Sequence, residues 1–388
     1  MAPRVLHFCR DQVAWECHEF EAAEGLPEGT PNFQSTADGI REGSRLKALN
    51  DLAEGKRLRR LRFQDSGDPD SHLRPEIFAL ELWRRIVEVY SGTAVTNEKD
   101  KLIALSGMAR WMSGKVGPAE KPAQLKCRST IHAGKTDVVG TTQYVAGLWA
   151  WNLASQLLWY VEPKFQAVDD SFHYFTTAPT SYRAPSFSWS SINADQGNGI
   201  RYAEVTDRDI LIAIDEVSVT PKYSSDEFGL LEGAELIIWG KLRKASFSVS
   251  EKAKGRFEWR LVERDDLSDE EHTIVFLDCP ERDVPGIIGP DADVYVVPAA
   301  RGDRTASEES KYLTCLILQL EKSCKEGPAF RRVGITKLSP YGDHKALEDL
   351  EILKAYESDG AMPHRGDDPK TGKKGYDPET GMHRIFLI

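Results

Sequence analysis

The second half of the sequence repeats one pattern, in which short runs rich in β-branched and aromatic residues are separated by turn-forming residues. No helical pattern intervenes between the runs. Repeated short strands of this kind favour an antiparallel β-sandwich or a barrel-like domain. The runs are RYAEV, DILIAIDEVSV, AELIIWGKLRKASFSV, RFEWRLVE, HTIVFLD, DVYVVPA, YLTCLILQLE and FRRVGITKL.

The middle of the chain carries helical patterns. A helix is predicted from Pro75 to about Ser91, because Pro75 suits a first helical position and an apolar residue recurs at helical spacing after it. Thr96 is the predicted N-cap of the next helix. The residues expected to face inward are Phe78, Leu82, Ile86 and Val89 in the first helix and Leu102, Leu105, Ala109 and Met112 in the second.

Two further helices are expected. A weak pattern covers residues of about 41 to 60, and an uncharged stretch predicts a helix from Tyr144 to Tyr160. In that stretch Asn152, Ser155 and Gln156 share one helical face, which predicts a buried helix with one wet side. These polar residues also argue against a transmembrane span, although no charge occurs between residues 138 and 161.

The two ends of the chain differ from its middle. The runs RVLHF and VAWEC predict an N-terminal β-hairpin, and the stretch from Ser358 onward is rich in Gly, Asp, Lys and Pro and predicts a disordered tail. The predicted fold class is therefore α+β. Its divisions are an N-terminal β-hairpin and loop at 1–35, a mainly helical region at 36–180, a β-rich domain at 181–342, and a short helix with a disordered tail at 343–388.

Charge and cysteine content limit the functions that the chain can have. A formal net charge of -11 opposes general binding to nucleic acids or anionic membranes, and the basic run KRLRRLR is short enough to be a solvated helix face. Six cysteines with irregular spacing predict free thiols. Without an apolar leader or an N-x-S/T sequon, the sequence predicts a cytoplasmic protein. The partners expected for it are proteins.

Candidate chemical motifs are weak. The stretch YRAPSFSWSSI offers serines, but the G-x-S-x-G pentapeptide of a hydrolase elbow does not occur in the chain, and an extended strand would place these serines on its wet face. The GKT at 134–136 lacks the earlier glycine of a phosphate-binding loop. RGD at 301–303 reads as a turn, and the spacing of His7, Cys9, Cys17 and His18 does not fit a zinc knuckle. We therefore predict no catalytic residue, no cofactor and no metal.

Two alternatives stay open at this point. A ligand-binding, carbohydrate-like β-module would expose aromatic side chains on a concave face, with Trp189, Trp239 and Trp259 as candidates. An uncharacterised hydrolase would need a pocket lined by convergent polar groups with shifted pKa values.

Several stretches together resemble the region that follows the heterokaryon incompatibility (HET) domain in large proteins of filamentous fungi. They are RVLHF with DQVAWEC, LWRRIVEVYSGTAVTNEKDKLIALSGMA, YVAGLW with LLW, and YRAPSFSWSSI. The residues that carry the match in the longest stretch are Trp83, Tyr90, Ser91, Thr96, Asp100, Lys101, Leu102, Ala104, Ser106 and Gly107. Phe187 and Val95 depart from the family pattern, in which a tryptophan and a leucine are usual.

The resemblance implies a non-catalytic, regulatory or scaffolding region of a protein linked to non-self recognition and programmed cell death. In the family, RVLHF and DQVAWEC resemble the closing strands of the HET domain, so the resemblance implies that residues 1–35 are a remnant of the end of that domain. The body of the domain, which precedes these strands in the family, has no counterpart in this sequence. Any catalytic activity of the family would belong to that domain, so no catalytic residue is carried over to this chain. The tryptophans of the motifs are expected to be packing residues.

Overall fold

The computed structural model describes residues 4–8, 12–17, 21–25, 27–28, 33–36, 39–42, 75–93, 95–116, 144–194, 199–203, 209–262, 272–304, 311–321, 328–339, 351–354, 362–363 and 374–388. Most of the helix expected at 41–60, the GKT sequence, Cys9 and His18 lie outside these residues. Within them the fold is mixed, with more strand than helix.

The predicted N-terminal hairpin is confirmed. The strands of this region are β1 (Arg4–Phe8), β2 (Val13–Cys17), β3 (Glu21–Ala23), β4 (Phe33–Thr36) and β5 (Gly39–Glu42). β2 lies between β1 and β3 in an antiparallel sheet, and β4 pairs with β5. Leu6 lies opposite Trp15 and Phe8 lies opposite Val13, so one face of the small sheet is apolar.

The two long helices form where the sequence predicts them, as α1 (Pro75–Ser91) and α2 (Lys101–Ser113). All of the predicted inward residues are buried except Val89, which is partly exposed at the margin of the face. The predicted cap is wrong. Asn97, rather than Thr96, accepts a hydrogen bond from the Lys99 backbone N–H and begins a 3₁₀ turn that leads into α2.

The uncharged helix predicted from Tyr144 to Tyr160 is wrong. The chain instead forms a tight hairpin, β6 (Tyr144–Val145) and β7 (Leu148–Trp149), then a single turn, α3 (Leu153–Gln156), and then β8 (Trp159–Tyr160). The hairpin turn places Ala146 and Gly147 at positive φ, and Asn152 is left-handed as well. Three left-handed residues are incompatible with a continuous right-handed helix.

Short strand pairs follow β8 and connect the helices to the large sheet. They are β9 (Lys164–Gln166) with β10 (Ser171–His173), β11 (Thr176–Thr177) with β12 (Asn193–Ala194), and β8 with β13 (Arg201–Tyr202). All three pairs are antiparallel.

A large sheet dominates the rest of the described residues and confirms the predicted β-rich region. Its strands are β14 (Ala213–Pro221), β15 (Leu231–Gly240), β16 (Arg243–Val249), β17 (Phe257–Leu261), β18 (Val275–Leu277), β19 (Val294–Arg304), β20 (Lys311–Glu321), β21 (Ala329–Leu338), β22 (Tyr376–Asp377) and β23 (Met382–Leu387). The hydrogen-bonded order is β14-β15-β23-β21-β20-β19-β16-β17, with β18 on β21 and β22 on β23, and this path is open.

The large sheet buries both of its faces. On β20, Leu316 and Leu318 belong to the main core, which also contains the apolar faces of α1 and α2. The alternate residues Cys315 and Ile317 belong to a second core, together with Trp259. Successive side chains of a strand point to opposite faces, so one strand supplies both cores. The main core draws residues from the predicted segments 36–180, 181–342 and 343–388.

Three other expectations are corrected. The tail is not wholly disordered, because β23 is an inner strand of the large sheet with Ile385 and Leu387 buried. The RGD sequence continues β19 and is not a turn. A helix, α4 (Pro280–Ile287), follows β18, where the sequence analysis expects strands alone.

In the part of the chain that the structure describes, no helix combines the length and the apolarity that crossing a membrane requires.

Candidate functional site

Three of the motif stretches named in the sequence analysis meet at a single backbone carbonyl. The indole N–H of Trp83 on α1 donates to the carbonyl oxygen of Gly147 over 3.2 Å, and the indole N–H of Trp189 donates to the same oxygen over 2.9 Å. All three residues belong to different motif stretches. We refer to Trp83, Gly147 and Trp189 as the indole junction.

Aromatic packing surrounds the indole junction. The Trp83 ring meets Trp149 edge-on at a centroid distance of 5.4 Å and Tyr144 at 6.0 Å. Trp189 meets Tyr90 edge-on at 6.2 Å. Edge-to-face contacts at these distances are the arrangement that aromatic quadrupoles favour, so the rings stabilise one another beyond their burial.

The turn between β6 and β7 has the conformation that the junction needs. Gly147 has a φ of 95°, and a Cβ at this position would lie 2.7 Å from the indole nitrogen of Trp189. Only glycine therefore allows both the turn and the close approach of the indole. The preceding carbonyl, that of Ala146, accepts a hydrogen bond from the Ser188 hydroxyl.

Gln156 holds the same hairpin from its other side. Its side-chain oxygen accepts the Trp149 backbone N–H over 2.9 Å, and its amide donates to the Trp149 carbonyl over 2.9 Å. The Gln156 amide thus makes the two hydrogen bonds with the Trp149 backbone that a neighbouring strand would make. Gln156 and Ser155 are buried, so the wet helical side predicted for them does not exist.

Two buried cationic side chains bind backbone carbonyls of the YRAPSFSWSSI stretch and hold it in place. Lys101 donates to the Ile192 carbonyl over 2.7 Å, with its ammonium 5.6 Å from the centre of the Trp189 ring. The Arg183 guanidinium donates to the carbonyls of Ser190, Ile192 and Glu98 over 2.6, 2.9 and 2.8 Å. Burial lowers the pKa of Arg183, and Glu98 opposes this effect.

The extended strand considered for YRAPSFSWSSI is wrong. The stretch forms turns and a 3₁₀ segment at Trp189–Ser191, with Ser188 as its cap. The serine side chains are buried, and their hydroxyls have hydrogen-bond partners: Ser188 contacts Ser190 at a distance of 2.8 Å, and Ser186 donates to the Ile388 carbonyl. None of them faces a histidine among the described residues, so the geometry of a serine nucleophile is missing there.

A second buried polar group lies between α4 and β21. Asp278 and Arg332 form an ion pair of 3.0 Å in which both side chains are almost fully buried. Asp283 contacts Arg282 over 2.7 Å and also pairs with Arg331. We refer to Asp278, Asp283, Arg331 and Arg332 as the acid–arginine cluster.

Local structure positions the acid–arginine cluster. The Asp283 carboxylate accepts the Cys279 backbone N–H at the start of α4, where negative charge is favoured. Arg332 lies 3.6 Å from the centre of the Trp159 ring and donates to the Trp159 carbonyl. The cluster therefore joins α4, β21 and β8.

Burial shifts the pKa values in this cluster. It raises the pKa of Asp278 to about 7, against the opposing effect of Arg332. It also lowers the pKa of Arg332 to about 10, against the opposing effect of Asp278. Shifted pKa values occur at active sites, but structural ion pairs produce them too, and a general base must reach a substrate. Asp278 has no exposed surface, so the cluster is arranged for packing.

Asp169, Ser171 and His173 contact one another and contain the residue types of a catalytic triad, but not its geometry. Ser171 and Asp169 both contact His173, over 2.7 and 2.8 Å, but both use the same ring nitrogen, Nε2. A triad needs the acid on one nitrogen and the serine on the other. Hydrogen bonds from Ser171 and then His173 lower the pKa of Asp169, as expected for a solvent-exposed turn between β9 and β10.

The described residues contain no group of three or more His, Cys, Asp or Glu side chains placed to hold a metal ion. Cys279 and Cys315 are free and buried. Burial raises the pKa of both thiols, which makes them poor nucleophiles.

The tryptophans proposed for a carbohydrate platform are not available as one. Trp189 and Trp259 are buried, and Trp239 is partly buried. Trp259 instead donates its indole N–H to the Thr336 hydroxyl over 2.8 Å. These three tryptophans therefore do not form the exposed stacking surface that was considered for them.

Sequence reasoning identifies Trp83 and Trp189 as packing residues, and the structure brings them together. It misses the acid–arginine cluster, whose members are far apart in the sequence. One signal was present, because Pro280 directly follows Asp278-Cys279 and suits a first helical position.

Comparisons with known proteins give no further guide. No family model matches the sequence, and no match is found among the curated proteins or the solved structures.

Proposed function

We propose that this chain is the non-catalytic, supporting region of a fungal heterokaryon-incompatibility-type protein that takes part in non-self recognition and programmed cell death. It acts in the cytoplasm as a scaffold or regulator, and its partners are proteins. Catalysis in such a protein belongs to another module.

One observation supports this proposal most. Two indoles from separate motifs donate to the same Gly147 carbonyl. Residues that carry the resemblance therefore contact one another and stabilise the fold. Not every residue that carries the resemblance is buried. Ala104 and Gly107, which belong to the same motif stretch as Trp83, are exposed on α2. These exposed positions are candidates for contact with a partner protein.

The described polar clusters also support a scaffolding role. In the indole junction and around it, the cations bind backbone carbonyls, and in the acid–arginine cluster they bind buried carboxylates. Groups engaged in this way do not present a free nucleophile or base to a substrate.

The finer architecture is part of the proposal. We propose that β16 to β21 curl around the second core as a barrel-like half-sheet. Two contacts support it: the Trp259 indole reaches Thr336 on β21, and Trp259 exchanges backbone hydrogen bonds with His272, just before β18.

A biochemical experiment tests the lack of catalysis. The purified full chain is incubated with nucleotides, an ester panel and a glycan panel, and product is measured by chromatography. No turnover above a heat-treated sample is expected. Turnover that a single replacement abolishes, without loss of the folded state, would overturn the proposal.

A cellular experiment tests the supporting role. The full chain is expressed in a filamentous fungus alone and fused behind a HET domain, and cell viability is counted. Death is expected only from the fusion, and a fusion carrying Trp189→Ala should cause less death because the supporting region is destabilised. Death caused by the chain alone would contradict the proposal.

A further inference from the structure

The helix α2 is largely apolar on its outer side as well as on the side that packs in the core. The exposed residues, which lie on the arc opposite its buried residues, are Ile103, Ala104, Gly107, Arg110 and Trp111. We refer to these five residues as the outer face. Among the described side chains of α1, by contrast, none is exposed. A helix that is apolar on all sides is usually buried, so the outer face is expected to have a partner.

The outer face places a gap between two large apolar side chains. Ile103, Gly107 and Trp111 are spaced four residues apart, so they lie in one row along the helix. Ile103 is 39% exposed and Trp111 is 37% exposed, which leaves both side chains accessible from outside. Between them, a Cβ at Gly107 would meet no atom within 4 Å. Another helix can approach the backbone closely at a gap of this kind.

The described fold gives no reason for a glycine at position 107. Gly107 lies inside a regular helix, and a larger side chain has room there. Glycine destabilises the interior of a helix relative to alanine. The close approach of an outside helix, which only a small residue allows, supplies the missing reason.

The charges beside the outer face are positive. No Asp or Glu occurs between residues 101 and 115, in a chain whose formal net charge is -11. The Arg110 side chain is 65% exposed, and its contact with Asp226 is long, at 3.8 Å. The Lys115 ammonium lies 4.5 Å from the centre of the Trp111 ring, so a second cation stands beside the apolar row. Such a surface is complementary to a helix that carries one apolar row with carboxylates beside it.

We propose that the outer face binds an acidic amphipathic helix of a partner protein. The apolar row of that helix lies over Gly107 between Ile103 and Trp111, and its carboxylates pair with Arg110 and Lys115. This proposal rests on the proposed function, in which the partners are proteins, and it names the kind of partner. Peptide binding tests the outer face alone, whereas the turnover and viability experiments test the proposed function.

Peptide selection on the purified full chain tests the proposal. A display library of peptides of about 15 residues, roughly the length of α2, holds equal shares of acidic amphipathic helices, basic amphipathic helices and proline-containing extended peptides. Peptides that also bind the full chain with Gly107→Glu are removed. Acidic helices should then be enriched at least about tenfold over each other class. Enrichment of another class, or of none, would overturn the proposal.

Charge reversal tests the same peptide contacts. The selected acidic peptide and a copy with every Glu replaced by Lys are labelled, and fluorescence anisotropy measures their affinities. The wild type should bind the acidic peptide at least about tenfold more tightly, and the double variant Arg110→Glu, Lys115→Glu should remove or reverse this preference. Val168→Glu is the matched control, because Val168 is fully exposed in the turn between β9 and β10, and it should keep the preference. An unchanged preference in the double variant would overturn the proposal.

Two further measurements separate binding from folding and from self-association. Gly107→Glu should have an unfolding midpoint no lower than that of the wild type, because the site has room and Glu favours a helix more than Gly does. If its midpoint falls, Ile103→Glu takes its place in the selection. Light scattering should give the mass of a single chain for the wild type. A wild-type dimer that Gly107→Glu dissociates would show that the outer face binds a second copy, and the proposal would be wrong.

Discussion

The indole junction and the acid–arginine cluster are both buried and polar, but they satisfy their polar groups in different ways. In the junction, neutral indole groups donate to a backbone carbonyl that they share. In the cluster, charged groups neutralise each other across α4 and β21. Replacing both partners should therefore destabilise the protein further in the junction, whereas in the cluster it should recover most of the stability lost by replacing one. Of the two regions, only the cluster should make the free energy of unfolding depend on pH.

The largest expected effect is in the junction. Trp189→Ala should lower the free energy of unfolding by about 4 kcal/mol, because it opens a cavity and removes the indole donor. Chemical denaturation measures this loss. Tyr223→Ala is the matched control, because that ring is 57% exposed, and its effect should stay within about 0.5 kcal/mol. Equal effects of the two variants would contradict the account of the junction.

The next effect separates the cluster from the junction. Arg332→Met should cost about 3 kcal/mol, because Asp278 is left as a buried acid without its partner. Combining it with Asp278→Leu should recover most of this loss, since two well-packed apolar groups replace a costly ion pair. Urea denaturation of both variants tests this, and a double variant at least as unstable as the single one would contradict it.

A smaller effect is expected at the turn that carries the shared carbonyl. Gly147→Ala should cost about 2 kcal/mol, because alanine disfavours this φ and its Cβ would press on the Trp189 indole. Gly233→Ala is the matched control, since a Cβ there meets no atom within 4 Å. Thermal unfolding should separate the two variants clearly, and indistinguishable midpoints would mean that the turn is not constrained.

The pH response should belong to the cluster. Burial raises the pKa of Asp278 from 3.8 to about 7. As the pH rises, the unfolded state therefore releases this proton at a lower pH than the folded state does. The stability contributed by this proton is fully present below about pH 3.8 and is lost as the pH rises to about 7. The difference in unfolding free energy between wild type and Asp278→Asn should decrease over this range. A difference that increases or stays flat would contradict the assigned direction.

The sequence predicts the large sheet well because its signals are local. Short runs rich in β-forming residues, such as YLTCLILQLE, identify strands from the chain alone, and the helical spacing in α1 is equally plain. The sequence also predicts that the motif tryptophans pack. It does not predict their meeting point, because a shared carbonyl depends on tertiary contacts between distant segments.

Other predictions are wrong, or are missed, for physical reasons. The stretch from Tyr144 to Tyr160 reads as a helix because it is apolar and uncharged, but the left-handed turn at Gly147 and the side chain of Gln156 override that propensity. The strand β23 is short and follows a polar, glycine-rich stretch, so composition hides it. The acid–arginine cluster joins residues that no local period connects.

The shared carbonyl gives the most direct test of the central claim, which is that the motif residues act as one packing unit. The measurement is a double-mutant cycle of Trp83→Phe, Trp189→Phe and both together, followed by equilibrium denaturation. Each single variant leaves one donor on the Gly147 carbonyl, whereas the double variant leaves a buried acceptor without its indole donors. The double variant should therefore lose about 1 kcal/mol more than the sum of the single variants. Losses that add within about 0.3 kcal/mol would show that the two indoles act independently and would contradict the account.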